Sequence, residues 1–283
     1  MRIYRWWWML RLRNPAVKLN ACAWPLIVCF AVNNVVPLRA GDALRVVGFT
    51  EQLGTPAVWL LGSLLIERIL DLTILLVFFL AGIAILSGDG NPVPYLRTAV
   101  VVGALGILAW ALLLSMGDRL ERLLLKACNA KPIVSRGWAP VLKTHGQQLF
   151  MALNIVRSPG RALRLLAMTV VVWTFEGLIF TAVASSLHYE GRTYGPWFAL
   201  ATGSLSTMVP SSPGYVGTFD FFTISALTAF GADPSLAAAT AFIVHAVLWL
   251  PLTCAGFIYF AVSSLGGQGL NFAERFARAQ EKM

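Results

Sequence analysis

The chain has 283 residues, of which 58% are hydrophobic and only 12% charged, and its formal net charge is +9. Soluble domains usually carry about 25% charged residues, so this composition excludes an ordinary soluble enzyme and favours a protein embedded in lipid. The positive charge lies in short loops between apolar blocks, which indicates charge facing anionic lipid headgroups rather than a surface for nucleic acid.

Residues 1–18 begin the chain with several arginines, no acidic residue and three consecutive tryptophans, Trp6 to Trp8. Tryptophan and arginine are enriched where lipid meets water, so this segment is predicted to be an interfacial anchor. The apolar segments that follow lack the alternation of strands and predict helices, because a helix in hydrocarbon pairs its own backbone groups. In chain order they cover residues 20–36, 57–86, 98–116, 163–187, 196–209, 215–230 and 236–265.

The segment 117–165 gives the strongest indication of orientation, because it holds nine Lys or Arg residues and two acidic ones. The positive-inside rule places it in the cytoplasm, and both basic termini are predicted to lie on the same side. It follows that the stretch 20–36 and the hairpin 196–230 enter the membrane and return to the side from which they came. The predicted organisation is one integral membrane domain, 1–283, with a first half 20–116, a basic cytoplasmic loop 117–162, a second half 163–265 and a cytoplasmic tail 266–283.

The two halves resemble one unit used twice in opposite orientations. Each joins a re-entrant apolar stretch to a Pro/Gly corner and then to a long crossing helix with an ionisable residue. The corners align as Val36-Pro37-x-x-x-Gly41 and Val209-Pro210-x-x-x-Gly214, a match that chance alone could produce but that agrees with the topology from charge. We therefore predict an all-α polytopic transmembrane bundle with two re-entrant helical hairpins in an inverted-repeat arrangement, a plan that recurs in transporters.

Three charged residues of the first long apolar block, Glu67, Arg68 and Asp71, are expected on one face of a helix because of their spacing. A charge at the bilayer centre costs about 2.5–3.5 kcal/mol, so each of them needs a partner or a function. They form either an internal ion pair that locks helices together or the polar lining for an anionic headgroup or a proton path. Arg39 and Arg45 are either phosphate ligands or ordinary cytoplasmic charge.

The second half contains a cluster of helix-breaking residues at membrane depth. They are Pro210, Pro213, Gly214 and Gly217. Free backbone amides at such a break can bind an anion, or the break is a tight turn with Asp220 as a charge at the start of the next helix. Glu176 and His245 each lie alone in an apolar block. A lone histidine is more often packed and hydrogen-bonded than a ligand, whereas a buried carboxylate needs a partner or a proton.

These motifs resemble those of a known family. They are, in order, Asn34-x-x-Pro37-x-Arg39-x-Gly41-Asp42-x-x-Arg45, Glu67-Arg68-x-x-Asp71 and Pro210-x-x-Pro213-Gly214-x-x-Gly217. Over about residues 25–265 the chain is similar to the flippase-like family of the lysylphosphatidylglycerol synthase transmembrane region. The resemblance implies an all-helical bundle with re-entrant elements, in a family whose members translocate modified phospholipids or are implicated in polyprenyl-linked or hopanoid lipid pathways. It also implies that the following residues line or shape a headgroup path: Arg39, Arg45, Glu67, Arg68, Asp71, Pro213 and Gly214.

The chain departs from the family pattern at two further positions. Asp220 stands where Glu is expected, and His245 stands where a basic residue, often Arg, is usual. Members usually have one more helix at the N-terminus. The soluble aminoacyl-transfer domain of the synthases is missing from this sequence, so no synthase activity is expected.

The leading hypothesis is a lipid translocator of the bacterial inner membrane, without a catalytic residue, metal or cofactor. It would move or bind an anionic phospholipid, or a polyprenyl-linked or hopanoid-type lipid, through a polar cleft. The candidate cleft residues are Arg39, Arg45, Glu67, Arg68, Asp71, Glu176, Pro210, Pro213, Gly214, Gly217, Asp220 and His245. One alternative is a non-transporting scaffold for a lipid-modifying enzyme. Another is an intramembrane enzyme that acts on a lipid phosphate through Glu67, Asp71 or His245.

Overall fold

The computed structural model describes residues 1–88, 139–208 and 212–265. Every regular element in these ranges is a helix, which confirms the all-α prediction. The predicted crossing segment 98–116, much of the basic loop, Pro210 and the tail 266–283 lie outside the described residues.

The described helices fall into three long ones, which can cross a bilayer, and seven shorter ones. They are α1 (Arg2–Arg11), α2 (Leu19–Val35), α3 (Ala40–Val47), α4 (Thr50–Leu53), α5 (Ala57–Gly88), α6 (Ala139–Leu153), α7 (Pro159–Ser186), α8 (Gly195–Ser206), α9 (Thr218–Ala229) and α10 (Pro234–Leu265). Short 3₁₀ turns cover Pro37–Arg39, Asn154–Arg157 and Pro213–Tyr215.

Three helices of the described chain, α5, α7 and α10, are long and apolar enough to cross a membrane. At about 1.5 Å per residue each exceeds about 40 Å, against a hydrocarbon core of about 30 Å. Their outer faces expose large apolar side chains, among them Phe175, Leu178, Phe242, Ile258 and Val262. Water does not tolerate an apolar surface of this extent, so these faces are directed at lipid. The predicted segments 57–86, 163–187 and 236–265 are thus confirmed as helices, with their ends shifted by a few residues.

Helix α1 contradicts the prediction of an interfacial anchor. Trp6 is fully buried, and its indole nitrogen donates a hydrogen bond to the hydroxyl of Ser63 at 3.2 Å. Arg5 is buried beside it and reaches acidic side chains of α5. Tryptophan and arginine suit a lipid–water boundary, but they also suit a protein interior that supplies carboxylates. Residues 38–56, which lie between two of the predicted apolar segments, contain the short helices α3 and α4.

The short apolar helices α2, α8 and α9 contain 17, 12 and 12 residues. Twelve residues span about 18 Å, which is too short to cross the hydrocarbon core. Helices α8 and α9 pack closely, because Gly203 brings the backbone of α8 against the Thr223 and Phe219 side chains of α9. In α2, Ala31 packs against Gly256 of α10, a small-residue contact typical of membrane helices.

Each half contains a corner whose backbone enters the left-handed region. Leu38 and Arg39 have φ values of 61° and 56°, and Gly214 and Tyr215 have values of 63° and 59°. These residues lie in the 3₁₀ turns Pro37–Arg39 and Pro213–Tyr215. The predicted alignment of Pro37 with Pro210 stays a prediction, because Pro210 lies outside the described residues.

Candidate functional site in a charged cavity

A cavity of about 210 Å³ lies between α1, α2, α5, α7, α10 and the two corners. Its charged lining consists of Arg2, Arg39, Arg68, Asp71, Glu176 and His245. Its aromatic lining consists of Phe30, Trp173, Tyr215, Phe219 and Trp249. The cavity therefore combines ionic groups with apolar walls, in a protein whose outer faces contact lipid.

Asp42 organises the basic end of the cavity. Its carboxylate lies 2.9 Å from Nη2 of Arg68 and 3.7 Å from Nη1 of Arg39. Asn33 holds Asp42 in place, since it donates to the carboxylate at 3.0 Å and accepts from the Asp42 backbone N–H at 3.1 Å. Gly41 allows α3 to touch α2 here, because a Cβ at this position would overlap the carbonyl oxygen of Cys29.

Arg39 is further positioned by the opposite half of the chain. Its Nη2 donates to the backbone oxygen of Thr207, and its guanidinium lies 5.8 Å from the centroid of the Tyr215 ring. The side chains of Arg39 and Arg68 remain 16% and 27% exposed. Two cations thus share one carboxylate, Asp42, and both retain surface that faces the cavity.

Arg2 occupies the other end of the cavity. Its Nη2 lies 2.5 Å from Oε1 of Glu176, and its Nη1 lies 3.6 Å from Oδ2 of Asp71. The guanidinium also stands 5.0 Å from the centroid of the Trp173 ring. Glu176 was predicted to need a partner, and the structure supplies it from the N-terminal helix.

A buried ionic layer lies directly behind the cavity. Arg45 Nη1 is 2.7 Å from Glu67 Oε2, and the Arg45 guanidinium stacks 4.1 Å from the centroid of the Trp6 ring. Arg5 Nη1 is 2.8 Å from Asp71 Oδ1. Neither Arg45 nor Glu67 lines the cavity. The expectation that both of them face a headgroup is therefore not met, since each satisfies the charge of the other inside the protein.

The predicted cluster of Glu67, Arg68 and Asp71 is divided among different partners. Glu67 pairs with Arg45, Arg68 pairs with Asp42 on the cavity side, and Asp71 lies between the cavity and the buried layer. Consecutive helical residues point about 100° apart, so Glu67 and Arg68 cannot share one narrow face. Partners from α1 and α3 consequently replace the pairing that was expected within the cluster.

His245 joins the second corner to α9. Its Nδ1 lies 2.8 Å from Asp220 Oδ1, and its Nε2 lies 2.9 Å from the carbonyl oxygen of Gly214. The other oxygen of Asp220 accepts the backbone N–H of Gly217 at 2.9 Å, which caps α9. Gly217 has a φ of 86°, a conformation that favours glycine. Asp220 is thus a charge at the start of α9, which is one of the two predicted alternatives.

The structure brings half of the predicted site residues to the cavity surface. These are Arg39, Arg68, Asp71, Glu176, Gly214 and His245. Arg2 and Asp42 are site residues that sequence reasoning did not select. The available signal was charge balance, because the segment 57–86 has two acidic residues and one arginine, while residues 1–18 have arginines without acids. Among the described residues, no cluster of His, Cys, Asp and Glu could hold a metal ion.

Comparison with known proteins agrees with the transmembrane character of this site. The model of a protein family described as the lysylphosphatidylglycerol synthase TM region matches residues 1–256. Searches of curated proteins and of solved structures find no match. The matched region includes every charged residue that lines the cavity.

Proposed function

Because the chain belongs to the family of the lysylphosphatidylglycerol synthase transmembrane region, we propose that it is a lipid translocator. It moves or binds an anionic lipid or lipid-linked intermediate, and it does so through the charged cavity without an enzymatic step. The observation that carries this proposal is the pair of cavity-facing guanidinium groups, Arg39 and Arg68, which share the single carboxylate of Asp42.

A phosphate group suits this pair for electrostatic and geometric reasons. Arginine presents several N–H donors in a plane and binds phosphate oxygens through more than one of them. Within the described residues, Asp42 contacts Arg68 through Nη2, so Nη1 of Arg68 is available to a ligand. A phosphate between the two arginines would balance the positive charge that Asp42 alone leaves uncompensated.

The remaining walls suit the lipid part of the ligand. Phe30, Phe219 and Trp249 line the cavity from α2, α9 and α10, and the outer face of α10 is apolar and exposed. An anionic headgroup in the cavity and its hydrocarbon chains along such faces would each have a favourable environment. This division supports a phospholipid, a polyprenyl-linked lipid or a hopanoid-type lipid as the substrate class.

We also propose the bacterial inner membrane as the location, with both termini and the loop 117–162 in the cytoplasm. The two re-entrant hairpins in an inverted-repeat arrangement belong to the same proposal. It is supported by the short helices α2, α3, α8 and α9 and by the two left-handed corners, which lie against each other through Arg39 and Tyr215. Transporters of this plan bind their substrates where the broken helices of the two repeats meet.

The experiment is a lipid flip-flop assay with the protein reconstituted in liposomes that contain fluorescent anionic lipid. We expect Arg68→Ala to slow lipid movement strongly, because it removes a cation from the cavity. Arg161→Ala is the matched control, since Arg161 is exposed at the start of α7 and lies away from the cavity. Equal rates for the unaltered protein and Arg68→Ala would contradict this role of the cavity.

A further inference from the structure

We propose that His245 and Asp220 form a proton-binding site that couples lipid movement to proton movement. This inference rests on the proposed lipid translocation and names its energy source. It begins from the hydrogen bonds of the His245 ring, in which both nitrogens face oxygen atoms.

A neutral imidazole has one N–H donor and one nitrogen that only accepts. The carbonyl oxygen of Gly214 accepts hydrogen bonds and cannot donate one, and an ionised Asp220 carboxylate is equally limited to accepting. The contacts at 2.8 and 2.9 Å therefore require one extra proton in the pair. Both contacts are satisfied when the imidazole is protonated, because both of its ring nitrogens then donate.

Asp220 is held in a way that keeps this proton on the imidazole. Its side chain is only 5% exposed, and it accepts the Gly217 N–H at the start of α9. The free N–H groups and the dipole of a helix N-terminus favour a negative charge there. The carboxylate consequently remains an acceptor while His245 gains or loses one proton to water.

Loss of that proton would break one of the two contacts of the ring. If His245 keeps its bond to Asp220, the carbonyl of Gly214 loses its donor. The next residue is Tyr215, whose ring lies beneath the Arg39 guanidinium. Release of the corner Pro213–Tyr215 therefore changes the position of a cation that is assigned to the headgroup.

Electrostatics also makes the binding of an anionic headgroup depend on this proton. The protonated pair is neutral overall, whereas the deprotonated pair carries the negative charge of Asp220 beside the cavity. An anionic headgroup therefore binds more tightly to the protonated form, and by linkage a bound headgroup raises the proton affinity of His245. Each lipid that crosses can in this way carry one proton with it.

Other ionisable groups also line the cavity. They are Arg2, Arg39, Arg68, Asp71, Glu176 and Tyr215. The arginines stay charged, and both carboxylates have an arginine within 3.6 Å. Histidine is the side chain whose charge changes between about pH 5 and 8, so His245 is the group that can respond.

The proton can be observed independently of transport. The chain contains three histidines, so a ¹⁵N-histidine NMR spectrum of the protein in lipid nanodiscs is simple, and the signal lost in His245→Gln identifies His245. At about pH 6 we expect both ring nitrogens of His245 to be protonated, and addition of anionic lipid should extend that state to higher pH. A ring with one protonated nitrogen at this pH would overturn the proposal.

Transport supplies the second measurement. In liposomes with an imposed pH gradient, we expect the gradient to accelerate lipid flip-flop by the unaltered protein and by the control His188→Asn, which changes a histidine outside the cavity. His245→Gln should lose the dependence on pH, and His245→Arg should bind lipid but also lose it, because arginine does not release its proton. Lipid movement that is unaffected by pH would refute the coupling and leave the proposed function intact. The absence of any lipid movement would refute the proposed function itself, whatever the NMR result.

Discussion

Arg5 Nη1 lies 2.8 Å from Asp71 Oδ1, although 66 positions separate the two residues in the chain. The two side chains are only 1% and 2% exposed. Thr169 accepts a second hydrogen bond from the same nitrogen at 2.8 Å, and Trp173 donates to Asp71 at 3.2 Å. One ion pair thus connects α1, α5 and α7 inside the bundle.

We expect the loss of either Arg5 or Asp71 alone to destabilise the folded protein. Removal of one partner from a buried pair costs about 3–5 kcal/mol, because the other charge remains buried without its close partner. More distant groups, Arg2 at 3.6 Å from Asp71 and Glu67 at 3.9 Å from Arg5, compensate it only in part. Arg5→Met and Asp71→Asn should each lower the free energy of unfolding by about this amount. The double variant should lose less than the sum, with a coupling of about 1–3 kcal/mol.

Thermal or denaturant unfolding in detergent micelles would measure these losses. Arg13→Met is a suitable control, since Arg13 is an exposed arginine that follows α1. Additive effects of Arg5→Met and Asp71→Asn would show that the two residues do not act as a pair.

The same ion pair shows what the sequence could and could not predict. The long helices α5, α7 and α10 were predictable because an uninterrupted apolar block has one stable form in lipid. The burial of α1 was not, because Trp6 and Arg5 are equally suited to a membrane interface. Charge balance indicated that Asp71 needed a cation, but spacing along the chain does not reveal which arginine arrives by tertiary packing.

The site was predicted in the same partial way. Arg68 and His245 were selected because polar groups in apolar segments require an explanation, and Arg39 was selected because arginine binds phosphate. Glu67 and Arg45 were selected on the same two grounds, although they form an ion pair with each other behind the cavity. Sequence alone identifies costly residues, whereas the division between structural and cavity-facing pairs depends on the direction of each helix face.

Gly41 should be intolerant of any side chain. A Cβ on Gly41 would overlap the Cys29 carbonyl oxygen and come within 2.8 Å of Asn33 Oδ1, so α3 would have to move away from α2. We expect Gly41→Ala to cost about 1–3 kcal/mol, as other overpacked interiors do. It should also slow lipid transport, since Asn33 positions the Asp42 that orients Arg68.

Gly160→Ala provides the matched control for this prediction. Gly160 lies in the first turn of α7, and a Cβ there meets nothing within 4 Å. Alanine is the better helix former, so stability should be unchanged or slightly higher. Unfolding midpoints of the two variants in one detergent would test the contrast, and a harmless Gly41→Ala would contradict the close contact of α2 and α3.

The start of α10 should respond to acid through Asp233. Hydrogen bonds from the Ser235 hydroxyl and from the backbone N–H groups of Ser235 and Leu236 lower the pKa of this carboxyl below its usual value. The folded state therefore holds the proton less tightly than the unfolded state. The stabilisation that the ionised Asp233 contributes is complete above the ordinary aspartate pKa of about 4. It is lost as the pH falls through the lower pKa that Asp233 has in the folded state.

Asp233→Asn separates this effect from other acid-sensitive groups, because asparagine caps a helix without titrating. We expect the unfolding temperature of the unaltered protein to fall more steeply than that of Asp233→Asn between about pH 5 and pH 3. Parallel decreases in the two proteins would show that the cap does not contribute to the pH dependence.

The Arg2–Glu176 pair offers a test that separates electrostatics from structural damage. Glu176→Gln removes a negative charge from the cavity, and Arg2→Gln removes a positive one, while both remove the same ion pair, whose atoms lie 2.5 Å apart. Damage to the fold would weaken binding of an anionic lipid in both variants. Electrostatics instead predicts tighter binding for Glu176→Gln and weaker binding for Arg2→Gln.

The size of either change follows from the interaction of two unit charges. Two charges about 8 Å apart, in a medium with an effective dielectric constant of about 20, interact by about 2 kcal/mol. Titration of the detergent-solubilised variants with a fluorescent anionic lipid would measure both changes, and a shift in the same direction for the two would reject an electrostatic role for this end of the cavity.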